Sequence, residues 1–160
     1  MLTVRVLCVG RVKEKFYADA VNEYKKRLNG RVKLEIVEVK DFPAPDSFSP
    51  AEKKAVMDAE GELLLKAVRP SDHVIALAVG GRSTDSETFA GELSALMNAG
   101  KSSVDFVIGG SLGLSEAVLS RADDTLSFSR FTFCHQLMRV ILLEQVYRAI
   151  KILSGESYHK

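Results

Sequence analysis

Branched apolar residues crowd Leu2 to Val9, a pattern that predicts a buried strand ending at Gly10. The period then changes. Tyr17, Ala20, Val21, Tyr24 and Leu28 recur at three- and four-residue intervals with charged residues opposite, which predicts a helix, and Gly30 stands where that helix would stop. Val32 to Val39 reads as a second strand. Asp41 to Phe48 holds two of the chain's four prolines and no periodicity, so it is expected to be a loop. Ser49-Pro50-Ala51-Glu52 opens a helix: serine caps it, proline fits its first position, and glutamate three residues after the cap reaches back to the cap amide. This helix should run to about Val68. A third strand is expected over His73 to Val79, with Gly80-Gly81-Arg82-Ser83 turning the chain into a helix over Ser86 to Asn98 that Gly100 closes. Val104 to Ile108 is a fourth strand, Ser115 to Ala122 a short helix, Thr125 to Ser129 a short fifth strand, and His135 to Leu153 a long last helix.

Strands that alternate with helices predict an α/β fold, a mostly parallel sheet with helices on both faces and ligands bound beyond the carboxyl ends of the strands. At 160 residues the chain is the size of one domain. The apolar runs Val104–Ile108 and Val140–Leu143 fall far short of the roughly 20 residues of a membrane span. The start Met1-Leu2-Thr3-Val4-Arg5 lacks a signal-peptide pattern, so a cytoplasmic protein is expected, with Cys8 and Cys134 as reduced thiols. Charge argues against a free-standing nucleic-acid binder: 22 basic residues face 21 acidic ones. A nucleic acid would need a local patch, a dimer surface or the shape of a large assembly. The candidate patches are Arg11, Lys13 and Lys15, and Lys25, Lys26 and Arg27.

Two glycine turns after strands carry the candidate chemistry. Gly80-Gly81 follows the third strand, and Gly109-Gly110 with Gly113 follows the fourth, so main-chain amides there are open to a ligand. Tight structural turns would use the same residues. The second turn is neither a phosphate loop nor a G-x-G-x-x-G dinucleotide fingerprint. Cys134 beside His135 suggests a thiolate pair, but adjacent side chains point apart. His73, His135 and His159 lack metal-ligand spacing, so no metal is expected.

The turn Ile108-Gly109-Gly110-Ser111-Leu112-Gly113-Leu114-Ser115, the segment Leu126-Ser127-Phe128-Ser129-Arg130-Phe131-Thr132-Phe133, the helix from His135 and the ending Gly155-Glu156-Ser157-Tyr158-His159-Lys160 together resemble the RlmH family of ribosomal RNA methyltransferases, with a weaker match over nearly the whole chain. The resemblance implies a single SPOUT-class methyltransferase domain over residues 1–160. Its C-terminal part, about 73–160, would form a deep trefoil knot that holds S-adenosylmethionine in a bent shape. The cofactor residues so implied are Leu77, Gly109, Phe128, Ser129, Arg130, Phe131, Thr132 and Phe133. The chain departs from the family's wording at Ala78, Leu112 and Cys134. The implied acceptor is N3 of a pseudouridine in the large-subunit ribosomal RNA, on assembled ribosomes. That nitrogen loses a proton as it attacks, and the family's Tyr-His-Lys ending assigns catalytic roles to Tyr158, His159 and Lys160. An imidazole suits proton transfer near neutrality, a lysine suits stabilising negative charge, and alignment would supply most of the acceleration.

Leu137, Met138, Val140, Ile141, Leu142, Leu143, Val146, Tyr147, Ile150, Ile152 and Leu153 cover more of the last helix than one core-facing stripe needs. Central burial within one subunit would explain this. The resemblance instead implies a homodimer through this helix, with one subunit's tail completing the other's site and any weak basic patch doubled. Rival readings are a non-catalytic nucleotide-binding α/β module and a ribosome-associated assembly factor.

Overall fold

The first strand divides its side chains between two cores. In β1 (Thr3–Val9), Val4, Val6 and Cys8 point into one apolar cluster, and Leu7 and Val9 into another on the opposite face. A computed structural model, describing residues 1–160, shows why both faces need cover. The strands β1, β2 (Lys33–Val39), β3 (His73–Ser83), β4 (Ser103–Ile108) and β5 (Asp124–Ser127) form one sheet in the order β2-β1-β4-β3-β5, every neighbour parallel. Five helices complete the chain: α1 (Lys15–Leu28), α2 (Pro50–Ala67), α3 (Ser86–Asn98), α4 (Glu116–Arg121) and α5 (His135–Leu153). The α/β architecture expected from the alternation is present.

Helix α5 lies between α1 and α3, and α2 packs against α4. The larger core therefore collects Phe89 and Leu93 from α3, Val21 and Leu28 from α1, and Leu142, Leu143, Val146 and Ala149 from α5 over the central strands. The flanked position of α5 accounts for most of its wide apolar surface. Met138, Val140, Tyr147, Ile150 and Ile152 also pack against this core, while Leu137 and Ile141 are half-buried outside it and Leu153 is exposed. The capping box at the start of α2 forms as expected: the Glu52 amide donates to Ser49 Oγ (3.2 Å) and the Ser49 amide donates to Glu52 Oε1 (3.1 Å).

Two boundaries differ from expectation. Strand β3 does not end at Val79 but continues to Ser83, so Gly80-Gly81 is no turn into a helix. Its register against β5 jumps, with Leu77 and Arg82 both opposite Leu126, so residues 78–81 bulge out and the strand resumes. Gly81 permits the return, because a Cβ there would lie 2.7 Å from the Leu126 carbonyl carbon. Arg82 then anchors the strand through Asp124 Oδ2 (2.6 Å) and Glu92 Oε1 (2.9 Å). Strand β5 in turn stops at Ser127 rather than Ser129. There Ser127 Oγ donates to the Ser129 carbonyl (2.8 Å), a side-chain bond that turns the backbone out of the sheet.

Arg5 is buried between the strands and donates to Asp105 Oδ2 (2.9 Å), Asp72 Oδ2 (3.1 Å), Glu35 Oε2 (3.1 Å) and the Ala67 carbonyl (3.0 Å). Asp105 is fully buried and its Oδ1 has no partner; burial first, and then the neighbouring Asp72 carboxylate, push its pKa up to about 7 despite Arg5. Below about pH 4 the carboxyl is protonated in both folded and unfolded chains. Between there and 7 the unfolded chain gives up the proton while the folded one keeps it, so this group's contribution to stability falls as pH rises. Asp105→Asn removes that dependence. Urea midpoints at pH 5 and pH 7.5 should therefore separate parent and variant by different amounts, and an equal separation at both would refute the raised pKa.

Candidate functional site

The carboxyl ends of β3, β4 and β5 open into a cavity of about 610 Å³, within the roughly 300–1,000 Å³ range of small-molecule sites. Its walls come from three segments that the fold brings together. Leu77, Ala78 and Val79 line it from the bulge of β3, residues Ile108 to Leu114 from the turn after β4, and Leu126 to Ser129 with Phe131 to His135 and Met138 from β5, the following loop and the first turn of α5. Most of the lining is apolar, and three glycines, three serines, Thr132 and His135 supply the rest.

The glycine turn is folded tightly on itself. Gly113 donates its amide to the Gly110 carbonyl (3.1 Å), and a Cβ on Gly109 would lie 2.6 Å from both the carbonyl carbon and oxygen of Gly113. Only a residue without a side chain fits there. Ser115 ends the turn by accepting the Val118 amide (3.3 Å) as the cap of α4. On the far wall Phe128 is held edge-on against Phe89 of the core, at 6.1 Å between ring centres, and Ser129 Oγ accepts the Phe131 amide (2.9 Å). Phe131 itself is 79% exposed, a large ring standing at the mouth.

Of the eight cofactor residues expected, Leu77, Gly109, Phe128, Ser129, Phe131, Thr132 and Phe133 line the cavity. Arg130 does not; it is exposed and outside the lining, because the turn held by Ser129 sends it toward solvent. Sequence reasoning missed His135 and Met138, although two residues three apart on the first turn of a helix share a face. His135 is depressed from the ordinary imidazole range by burial and then by Arg139, so it faces the cavity as a neutral ring near neutrality.

Cys134 also lines the cavity and is exposed, whereas Cys8 is buried in the sheet. The Cys134 sulfur lies 3.4 Å from the Tyr17 hydroxyl, and this hydrogen bond, followed by the Leu137 amide, lowers its pKa. Burial pushes Cys8 up to about 11. Iodoacetamide at neutral pH should therefore add to the native chain once, at Cys134, with Cys8 reacting only after unfolding. Intact-mass and peptide mass spectrometry read this directly, and an adduct on native Cys8 would refute the assignment.

The expected catalytic tail sits elsewhere. From Met138 at the cavity the helix advances roughly 9 Å to Glu144 and roughly 15 Å to Arg148 at 1.5 Å per residue, and the tail folds back onto these two residues. Tyr158 donates to Glu144 Oε1 (3.1 Å), packs edge-on to Tyr147 (4.9 Å between centres) and carries the Arg148 guanidinium over its ring at 4.8 Å. Burial and the Glu144 carboxylate raise its pKa. His159 Nδ1 lies 3.3 Å from Arg148 Nη1. A guanidinium only donates, so Nδ1 accepts and the neutral ring carries its proton on Nε2, which lies 3.4 Å from Glu87 Oε1. Lys160 is exposed. Tyr158, His159 and Lys160 are thus near one another but not at the cavity. No group of three or more His, Cys, Asp or Glu side chains converges to hold a metal, and no helix is long and apolar enough to cross a membrane.

Comparison with known proteins adds an independent line. The family described as "Predicted SPOUT methyltransferase" matches residues 2–159. Proteins named ribosomal RNA large subunit methyltransferase H are similar along their whole length: those of Clostridium botulinum, Listeria welshimeri and Bacillus pumilus are 52%, 51% and 49% identical over 159 residues, covering 99% of this chain and all of each relative. Among solved structures, a probable methyltransferase from Bordetella pertussis Tohama I superposes with a TM-score of 0.59 at 17% identity, over 92% of this chain and 95% of that one. A probable methylase family protein from Haemophilus influenzae Rd KW20 gives 0.57 at 15%, over 98% and 70%. The two structures speak for the fold alone. With its cavity at the carboxyl edge of a parallel sheet, a family match over nearly every residue and half-identity to full-length relatives, the chain belongs to the SPOUT methyltransferases, in the branch of the large-subunit ribosomal RNA methyltransferase H proteins.

Proposed function

We propose that this chain transfers a methyl group from S-adenosylmethionine to N3 of a pseudouridine in the large-subunit ribosomal RNA, acting in the cytoplasm as a homodimer on assembled ribosomes. The observation that carries the reading is the cavity at the Gly109 turn, in a chain half-identical over its full length to proteins named for this class of reaction. The residues present suit the cofactor. Adenine asks for an apolar slot with main-chain hydrogen bonds, and Leu77, Ile108, Leu126 and the glycine turn offer both. When bound, S-adenosylmethionine supplies a methyl group already activated by its sulfonium, so no metal is called for. The knot expected over about 73–160 is part of the same proposal, as the means by which the 128–133 loop is kept against the turn.

The protein's own part is positioning. The turn at Gly109 and the loop Phe128 to Phe133 hold the methyl donor and exclude water, and Tyr158 orients the acceptor base. His159 receives the imide proton as the nitrogen attacks, which requires Arg148 to release Nδ1 or the ring to be presented anew. Lys160 stabilises the developing negative charge. Since the tail lies roughly 9–15 Å along α5 from the cavity of its own subunit, a dimer in which each tail meets the partner's cavity reconciles the two halves of the site. The half-buried Leu137 and Ile141, outside the subunit core, belong to the contact this requires.

The test is transfer of labelled methyl from S-adenosylmethionine to assembled ribosomes, with naked ribosomal RNA in parallel. Label on a single pseudouridine of assembled particles supports the reading. No label on either substrate, with cofactor still bound, would favour a binding module instead.

A further inference from the structure

A second, smaller cavity opens at the same edge of the sheet, between α1 and β2. It measures about 230 Å³, below the roughly 300–1,000 Å³ of sites that enclose a whole small molecule, so it suits one group of a larger ligand. Ala18, Val21, Asn22 and Lys25 line it from one face of α1, Ile36 and Glu38 from β2, and Arg11 from the loop after β1. Arg139 forms its floor. That side chain is 1% exposed, donates to the Val9 and Gly10 carbonyls (2.7 and 2.8 Å) and to Glu38 Oε2 (2.8 Å), and leaves its Nε without a partner.

The lining therefore carries three cations, Arg11, Lys25 and Arg139, against the single carboxylate of Glu38, which is engaged by Arg139. Arg11 and Lys25 have no ion-pair partner, unlike their neighbours Lys15, paired with Asp19, and Arg27, paired with Glu23. In a chain whose overall charge is +1, positive charge has been gathered at one notch.

The notch also has a fixed relation to the larger cavity. Cys8 of β1 pairs with Ile108 of β4 and Val9 lies against Gly110, so the segment that carries Arg11 leaves the sheet next to the glycine turn, and His135 and Met138 line the large cavity while Arg139 on the same turns of α5 floors the small one. Strands lie roughly 4.8 Å apart, which puts the β1–β2 edge about 5–10 Å from β4, the reach of an adjoining nucleotide. We infer that this cavity is a phosphodiester site, in which Arg11 and Lys25, backed by Arg139, hold one backbone phosphate of the RNA strand whose base enters the methyl-transfer site. The inference rests on the proposal that the substrate is RNA. It answers how a near-neutral chain binds a polyanion: affinity comes from one placed contact rather than from net charge.

The probe is a fluorescent single-stranded RNA oligonucleotide titrated onto the full-length chain between 50 and about 200 mM salt. The variant R11Q/K25Q should bind at least tenfold more weakly at low salt, with the slope of log affinity against log salt shallower by about 1 to 2, and with cofactor affinity unchanged. K53Q/K66Q, which removes the same charge from α2 on the opposite face, should bind like the parent. Three results would overturn the inference: a parent chain that does not bind the RNA, a double variant with the parent's affinity and slope, or equal losses in both double variants. A notch that instead captures a polyglutamate peptide but not RNA would also sink it. Methyl transfer is read separately, so a parent that binds RNA yet transfers no methyl counts against the proposed reaction and not against this site.

Discussion

Replacing Gly109 with alanine is expected to weaken cofactor binding at least a hundredfold and to abolish methyl transfer in a chain that still folds. The added Cβ would lie 2.6 Å from the Gly113 carbonyl carbon and oxygen and 3.1 Å from its Cα, and all three are backbone atoms that cannot rotate away. The turn must open, and it forms one wall of the cavity. A displacement of about 1 Å in a positioning element costs on the order of a hundredfold in rate, and overpacking of this kind costs about 1–3 kcal/mol of stability, which a domain of this size tolerates. Titration calorimetry with S-adenosylmethionine reads the affinity and thermal unfolding the fold. Gly91→Ala is the matched control, since nothing lies within 4 Å of that position on α3. It should leave binding unchanged and stabilise the chain by roughly 0.5–1 kcal/mol. Parent-like affinity in the Gly109 variant would remove the turn from the cofactor site.

How much of this was legible beforehand depended on whether a residue's meaning is local. The capping box at Ser49 and Glu52 is a contact between residues three apart, so its four-residue wording identified it. The glycine turn at Gly109 and the aromatic loop after Leu126 were recognisable as blocks, and all but one of their expected residues line the cavity. Gly80-Gly81 was misread because a glycine pair serves equally for a turn and for a bulge. Which it is depends on Leu126, far along the chain, lying against the Gly81 backbone. Arg130 fails for a related reason: the family wording covers the loop as a block, whereas the Ser129 hydroxyl bends it so that Arg130 alone faces away from the cavity. Periodicity likewise found the apolar surface of α5 but not its cause, since the flanks formed by α1 and α3 come from distant segments. Arg139 was hidden most completely. An arginine within an apolar helix reads as a solvent-facing break, and only the topology places the Val9 and Gly10 carbonyls around it.

The strongest consequence of the tail's position is that two inactive chains should restore each other. G109A has an impaired cavity and an intact tail; Y158A/H159A has the reverse. If each tail serves its partner's cavity, a mixed dimer holds one site built from the good cavity of one subunit and the good tail of the other. Random exchange at equal amounts makes half the dimers mixed, each with one complete site of two, so activity should return to about one quarter of the parent level. Each variant alone should show almost none, and light scattering on the mixture should give the mass of a dimer. A mixture as inactive as its components would mean that the tail serves its own subunit, which would require the tail to leave Glu144 and Glu87 and cross roughly 9–15 Å to the cavity. Full activity in Y158A/H159A alone would remove the tail from the chemistry. Recovery near one quarter would instead explain why Tyr158 and His159 rest against Arg148 and Glu144, further along α5 than their own cavity: that stretch is where the partner's cavity comes.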